Sequence, residues 1–254
     1  MILSQCIHRL CGLYFWGYWA NIIYIIGMIG YLIIDTISYM YLSLNAMFSY
    51  VIYLILAIIF VIDAILYTID WYIYAVKLRK NKDQPIQYRS EFLACIFQHI
   101  GSIFYLIGAL LPFNNIQLMK KLLFNLFGII SFLIESIFTL LGWIILFRRK
   151  FSKTNCTLQN SYIWAHTLNI IANLIYLCAT ILAYYFYRND KITNSTIVLL
   201  LQIFGDIVYL IDAYLYHECW QQDKKEFDAA TEQQNLNKFY LEKFDHQSKT
   251  NENK

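Results

Sequence analysis

The run Ile62-Asp63-Ala64-Ile65-Leu66-Tyr67-Thr68-Ile69-Asp70-Trp71 lies in an apolar stretch from Ser49 to Val76 and carries an acid within it. A stretch of that length is long enough to cross a bilayer as a helix, which needs roughly 20 apolar residues. Working outward, further windows of the same kind are found at Leu13 to Met40, Phe92 to Phe113, Lys121 to Phe147, Tyr162 to Tyr187 and Thr196 to Cys219, giving six spans. The whole chain of 254 residues is 59% hydrophobic, 18% aromatic and only 15% charged, with a mean hydropathy of +0.46. Soluble domains average about 25% charged residues, so this chain has too little charge for a water-facing surface. The expected fold is all-α: a polytopic membrane protein whose six transmembrane helices form three tandem hairpins, about 13–76, 92–147 and 162–219. A polar tail from 220 to 254 follows the membrane domain.

The chain has two prolines, Pro85 and Pro112, and both fall in expected loops or at a helix edge. No span is therefore broken in the way discontinuous transporter helices are. The first apolar stretch is too long for a signal-peptide core and is read as a span rather than a cleaved leader.

Basic residues collect on the non-translocated side of short loops. Arg9, Lys77, Arg79, Lys80, Lys82, Arg89, Arg148, Arg149, Lys150, Lys153 and the tail lysines share one face, against Lys120, Lys121, Arg188 and Lys191 on the other. Both termini are thus expected on the cytoplasmic or matrix side. Tryptophan, which favours the headgroup level, agrees: Trp16, Trp19 and Trp164 open spans, while Trp71, Trp143 and Trp220 close spans, all on the basic face. The last three are read as interfacial anchors.

An internal threefold repeat runs through the spans. Odd spans share Ala20-Asn21-Ile22-Ile23-Tyr24-Ile25-Ile26-Gly27, Gly101-Ser102-Ile103-Phe104-Tyr105-Leu106-Ile107-Gly108 and Ala172-Asn173-Leu174-Ile175-Tyr176-Leu177-Cys178-Ala179. Even spans share Ile62-Asp63-Ala64, Ile134-Glu135-Ser136 and Ile211-Asp212-Ala213, each followed by a tryptophan eight residues beyond the acid. Eight residues rise about 12 Å in a helix, and the apolar half-thickness is about 15 Å, so an acid hung from an interfacial tryptophan lies near the midplane. Asn21, Ser102 and Asn173 fall at similar depth, and the hairpins are expected to bring Asn21 to Asp63, Ser102 to Glu135 and Asn173 to Asp212. The small residues that bound each odd motif lie seven apart, on one helix face. Small faces permit close approach in lipid, so this face is expected to form the hairpin seam.

The stretch from Gly101 to Leu111 resembles the first helix of YrhK-like domains, small two-helix membrane modules, and Phe204 to Ala213 is similar to the second. The resemblance implies three fused YrhK-like hairpins. It departs where that family tends to have Gly-Ser, since this chain has Asp63-Ala64, Glu135-Ser136 and Asp212-Ala213. It implies architecture and no known chemistry. A mitochondrial-carrier reading is set aside, because neither proline begins the Pro-x-Asp/Glu-x-x-Lys/Arg signature of that family's odd helices.

Ionisable residues at the bilayer centre are costly and by default mark function. Asp63, Glu135 and Asp212 carry that expectation, with Asp35 and Asp206 nearby. One reading makes them a proton or cation path. The other makes them protonated, hydrogen-bonded interhelical glue, and the lack of an intramembrane Lys or Arg counter-ion favours it. His99, His166 and His217 lack ligand spacing and are read as interfacial, so no metal and no cofactor is expected. No Gly-x-Ser-x-Gly, His-Glu-x-x-His or phosphate loop is present, and the chain is expected not to be an enzyme. Leu236, Phe239, Tyr240 and Phe244 recur at helical spacing in the tail, suggesting a short amphipathic helix.

The function expected is that of a non-enzymatic integral membrane scaffold or accessory subunit. Its partners would be the lipid bilayer and other membrane subunits, with nothing pointing to nucleic acid. Enrichment in Ile, Tyr, Asn and Lys suggests an AT-rich coding genome, as in some protists, and by analogy a mitochondrial inner-membrane complex. The alternative is a proton- or cation-coupled transporter or channel.

Overall fold

The computed structural model describes residues 15–40, 46–78, 85–111, 115–150, 161–189 and 195–252. Much of the basic charge that orients the chain, including Arg9, Lys80, Lys82 and Lys153, lies outside them, as does Pro112. Six helices account for nearly all of these residues: α1 Phe15–Met40, α2 Ala46–Leu78, α3 Pro85–Leu110, α4 Asn115–Lys150, α5 Ser161–Arg188 and α6 Ser195–Glu252. No strand occurs among the described residues. Each helix contains a segment long and apolar enough to cross a membrane, from Trp16–Met40 at the start to Thr196–Gln222 at the end. The chain divides into two compact units, Met1–His217 and Glu218–Lys254.

The helices from α2 to α6 are longer than the hydropathy windows. Pro85 opens α3 rather than interrupting a loop; its fixed φ and missing N–H suit the first turn of a helix. The second unit is helical to Glu252, not a short helix in a solvated segment. From Gln221 onward the sequence has no glycine or proline and is rich in Glu, Lys, Gln and Ala, all good helix formers.

In the first unit the surface is apolar and the interior polar. Ile211 and Tyr214 are 48% and 58% exposed, while Asp212 and Ala213 between them are fully buried. Ile62 and Ile65 likewise face outward on either side of buried Asp63 and Ala64. In water such a surface would be strongly unfavourable, at about 25 cal/mol per Å² of apolar area; against lipid it is matched to its solvent.

Consecutive helices pack as α1 on α2, α2 on α3, α3 on α4 and α4 on α5. Asn169 and Tyr176 of α5 reach Asp212 and Asp206 of α6. Tyr24 of α1 reaches Asp212 and stands edge-on to Tyr209 of α6, with ring centroids 6.5 Å apart. The last helix thereby returns to the first, and three hairpins close into a ring.

The seam within each hairpin is set by small residues. A Cβ added to Gly27 would lie 3.0 Å from the Phe60 ring, one at Gly101 2.8 Å from Phe132, and one at Gly108 2.6 Å from Asn125 Oδ1. Ala172 and Ala179 are fully buried. The expected small-residue seam is therefore present where α1 meets α2 and where α3 meets α4. A second set, unforeseen, lies on the even helices: Gly128 and Gly205, each seven residues before the acid, receive the rings of Tyr105 and Tyr176. In the first hairpin the roles are exchanged, and Leu56 fills that position and presses on Gly30 of α1.

Candidate functional site

Asp63, Glu135 and Asp212 each lie inside a candidate span and eight residues before Trp71, Trp143 and Trp220, about 12 Å along a helix, so the three acids share one position relative to these tryptophans. Asp63 and Asp212 are buried at 6% and 0% exposure, and Glu135 is half-buried. Glu135 lies within electrostatic range of both Asp63 and Asp212. The ring thus turns its repeated acids toward a common interior.

Each acid receives hydrogen-bond donors. Gln98 Nε2 of α3 lies 3.4 Å from Asp63 Oδ2. Thr139 Oγ1 donates to Glu135 Oε1 at 2.9 Å, and Ser136 Oγ lies 3.3 Å from Oε2. Asn169 Nδ2 of α5 donates to Asp212 Oδ2 at 2.8 Å, and Tyr24 of α1 points its hydroxyl at the same oxygen from 3.4 Å. Oδ1 of Asp212 is buried without a donor.

The pairs expected from depth alone do not form. Asn21 donates to the Gly17 carbonyl of its own helix at 2.9 Å. Ser102 donates to the Gln98 carbonyl at 2.9 Å and faces the Phe60 carbonyl of α2 at 3.4 Å. Asn173 donates to Ser136 Oγ of α4 at 2.8 Å and accepts from the Tyr209 hydroxyl at 2.6 Å. The reason is rotational. An odd helix in a closed ring touches two even helices, and its Ser102 or Asn173 position faces the preceding hairpin while the tyrosine three residues on fills its own seam.

That tyrosine makes a contact that recurs in all three hairpins. Tyr24 packs on Phe60, Tyr105 on Phe132 and Tyr176 on Tyr209, with centroids 5.9, 5.7 and 5.6 Å apart. In every case the even-helix partner lies three residues before the acid. Offset and edge-on pairs at these separations contribute about 0.5–1.5 kcal/mol beyond area burial.

The network is most developed between α4, α5 and α6. Tyr209 donates to Asn173, Asn173 to Ser136 Oγ, Ser136 to the Asn169 side-chain oxygen, and Asn169 to Asp212, an unbroken sequence over three helices. Gln98 and Asn169, which supply donors to two of the acids, escaped the sequence reading. Their signal was present: each stands one helical turn before Ser102 or Asn173, making a polar pair four apart in an apolar helix.

Trp71 and Trp143 do not stand free at the surface. Trp71 is 9% exposed and packs on Phe92 of the next hairpin at 5.5 Å, and Trp143 stacks on Tyr162 at 6.3 Å. The outward tryptophans are Trp19 and Trp164, each 44% exposed. In the second unit, Lys224 holds its Nζ 5.7 Å from the Trp220 ring centroid. His166 is buried against the Tyr216 hydroxyl at 2.7 Å rather than interfacial. No group of three or more His, Cys, Asp or Glu able to hold a metal ion occurs among the described residues.

No family model matches the chain, and neither a curated protein nor a solved structure is similar to it.

Proposed function

We propose that this chain is a non-enzymatic integral membrane subunit, a scaffold or accessory piece of a larger membrane assembly, built from three YrhK-like hairpins. The observation that carries this reading is how the acids are used. Asp63, Glu135 and Asp212 all receive side-chain hydroxyl or amide donors, and for Asp63 and Asp212 these come from neighbouring helices. Interhelical hydrogen bonds of this kind contribute about 0.6–2 kcal/mol each in a membrane. They fix the ring and leave an outer surface of Ile, Leu and aromatic side chains for lipid and neighbouring subunits. The polar helical unit from Glu218 supplies a further contact segment.

Both termini lie on the basic, non-translocated side in this reading, and the amino-acid bias supports the mitochondrial inner membrane as the location. Native-detergent purification followed by identification of co-migrating proteins tests the proposal. A stoichiometric complex with other membrane subunits is expected; purification as a stable lone monomer would count against it.

One observation favours a second reading. Glu135 is near enough to Asp63 and Asp212 for their charges to interact, and Asp212 Oδ1 has no donor, as a proton path would require. Reconstituted vesicles would then conduct protons or cations, and the double variant Asp63→Asn with Asp212→Asn would lose the flux. No flux in the intact protein removes this alternative.

A further inference from the structure

Asp212 of α6 is fully buried, and its two oxygens are treated unequally. Oδ2 takes both donors that reach the side chain, Asn169 Nδ2 of α5 at 2.8 Å and the Tyr24 hydroxyl of α1 at 3.4 Å. Oδ1 receives no hydrogen bond from the protein. The Tyr24 contact is also long, since O–H···O bonds cluster at about 2.7–2.8 Å.

The internal repeat explains why a donor is lacking here. Gln98 and Asn169 hold the same place in their odd helices, four residues before Ser102 and Asn173. Each turns its side chain to the preceding even helix: Gln98 donates to Asp63 of α2 at 3.4 Å, and Asn169 accepts from Ser136 of α4. Where the ring closes, α1 stands to α6 as α3 stands to α2, and the matching position, four residues before Asn21, is Gly17. Gly17 is buried and has no side chain to offer, and its N–H is taken by Asp70 Oδ1 of α2 at 2.9 Å. The amide that reaches Asp63 across the α2–α3 seam therefore has no counterpart across the α6–α1 seam.

We propose that the α6–α1 seam is a binding site for one ordered water molecule, held by Asp212 Oδ1 and the Tyr24 hydroxyl. Buried waters serve polar groups that the protein itself leaves unsatisfied. Water suits Oδ1 in either charge state: a carboxylate oxygen requires a donor, a carboxylic O–H requires an acceptor, and water is both. The ligand is neutral, because the groups that converge on Asp212 from α5 and α1 are hydrogen-bond donors. A hard metal cation would instead need roughly six to eight oxygen ligands. The water ties the last helix to the first in the role that Gln98 plays between α2 and α3. It rests on neither the scaffold reading nor proton conduction.

Water-edited solid-state NMR of the full-length protein in lipid bilayers tests the site. Tyr105 is the internal control, since it holds Tyr24's place in the second hairpin and packs on Phe132 as Tyr24 packs on Phe60. Magnetisation from water should reach the Tyr24 ring and the Asp212 carboxyl several-fold faster than the Tyr105 ring, the signals being assigned by their loss in Tyr24→Phe, Asp212→Asn and Tyr105→Phe. Equal transfer to Tyr24 and Tyr105 would overturn the proposal. Asp212→Leu should slow Tyr24 to the rate of Tyr105, whereas Asp212→Asn, which keeps a polar atom at the Oδ1 position, should leave Tyr24 fast. Slow transfer to Tyr24 in Asp212→Asn would tie hydration to charge and also overturn the assignment. Should Asp212→Leu fail to fold, the comparison of Tyr24 with Tyr105 in the intact protein decides alone.

Discussion

Ile211 and Asp212 are neighbours in sequence and opposites in surroundings, one facing outward at 48% exposure and the other fully buried. At this scale the decisive property of an intramembrane acid is its supply of donors. Asn169 serves Asp212 through Nδ2 and Ser136 through Oδ1. Replacing it with leucine leaves buried polar groups unsatisfied, which costs about 1–3 kcal/mol, and a lower melting temperature in nanodiscs would register that loss. Asn21, which donates to the Gly17 carbonyl of its own helix, is the contrasting case. Asn21→Leu should cost less than about 1 kcal/mol in the same assay.

At the scale of the element, the hairpins are held by paired faces, small residues against aromatic rings. A Cβ on Gly128 would lie 2.5 Å from the Tyr105 ring and 3.3 Å from the Gly101 carbonyl oxygen, whereas at Gly142 the nearest atom is 3.5 Å away. Gly128→Leu is therefore expected to destabilise by about 1–3 kcal/mol, the usual cost of overpacking, and Gly142→Ala to be nearly neutral; thermal melts of the two variants check the contrast. The six helices were legible because their apolar windows are long, and the repeat because Asp63, Glu135 and Asp212 keep one spacing to Trp71, Trp143 and Trp220. The seam was legible at Gly27 and Gly108 for the same reason of periodicity. What periodicity does not reveal is rotation about the helix axis. Depth suggested Asn173 as the partner of Asp212, yet its side chain bonds Ser136 of the preceding hairpin and Tyr209 of α6. The approach of Tyr24 to Asp212 was hidden for another reason, since it depends on α6 returning to α1, which no local pattern encodes.

As a whole molecule, the chain joins a ring of membrane helices to a polar helical unit that is compact in its own right. A chain ending at His217, the last residue of the first unit, is expected to retain the melting behaviour of the membrane unit and to lose a partner in native-detergent purification. Unchanged co-purification would move the contact to the membrane surface. The basic loops predict that reporters fused to either terminus stay on the non-translocated side; a translocated reporter would reverse the topology.

Closure of the ring is the claim on which the buried acid network depends, and a cross-link between α1 and α6 tests it most directly. Tyr18 and His217 lie at one end of the bundle with ring centroids 6.2 Å apart. With both changed to cysteine, and the six native cysteines replaced, a short thiol-reactive cross-linker applied in membranes should join them within one chain and shift the monomer's gel mobility. Efficient cross-linking is the predicted result. Its absence, with each cysteine shown to react singly, would mean that α6 does not return to α1.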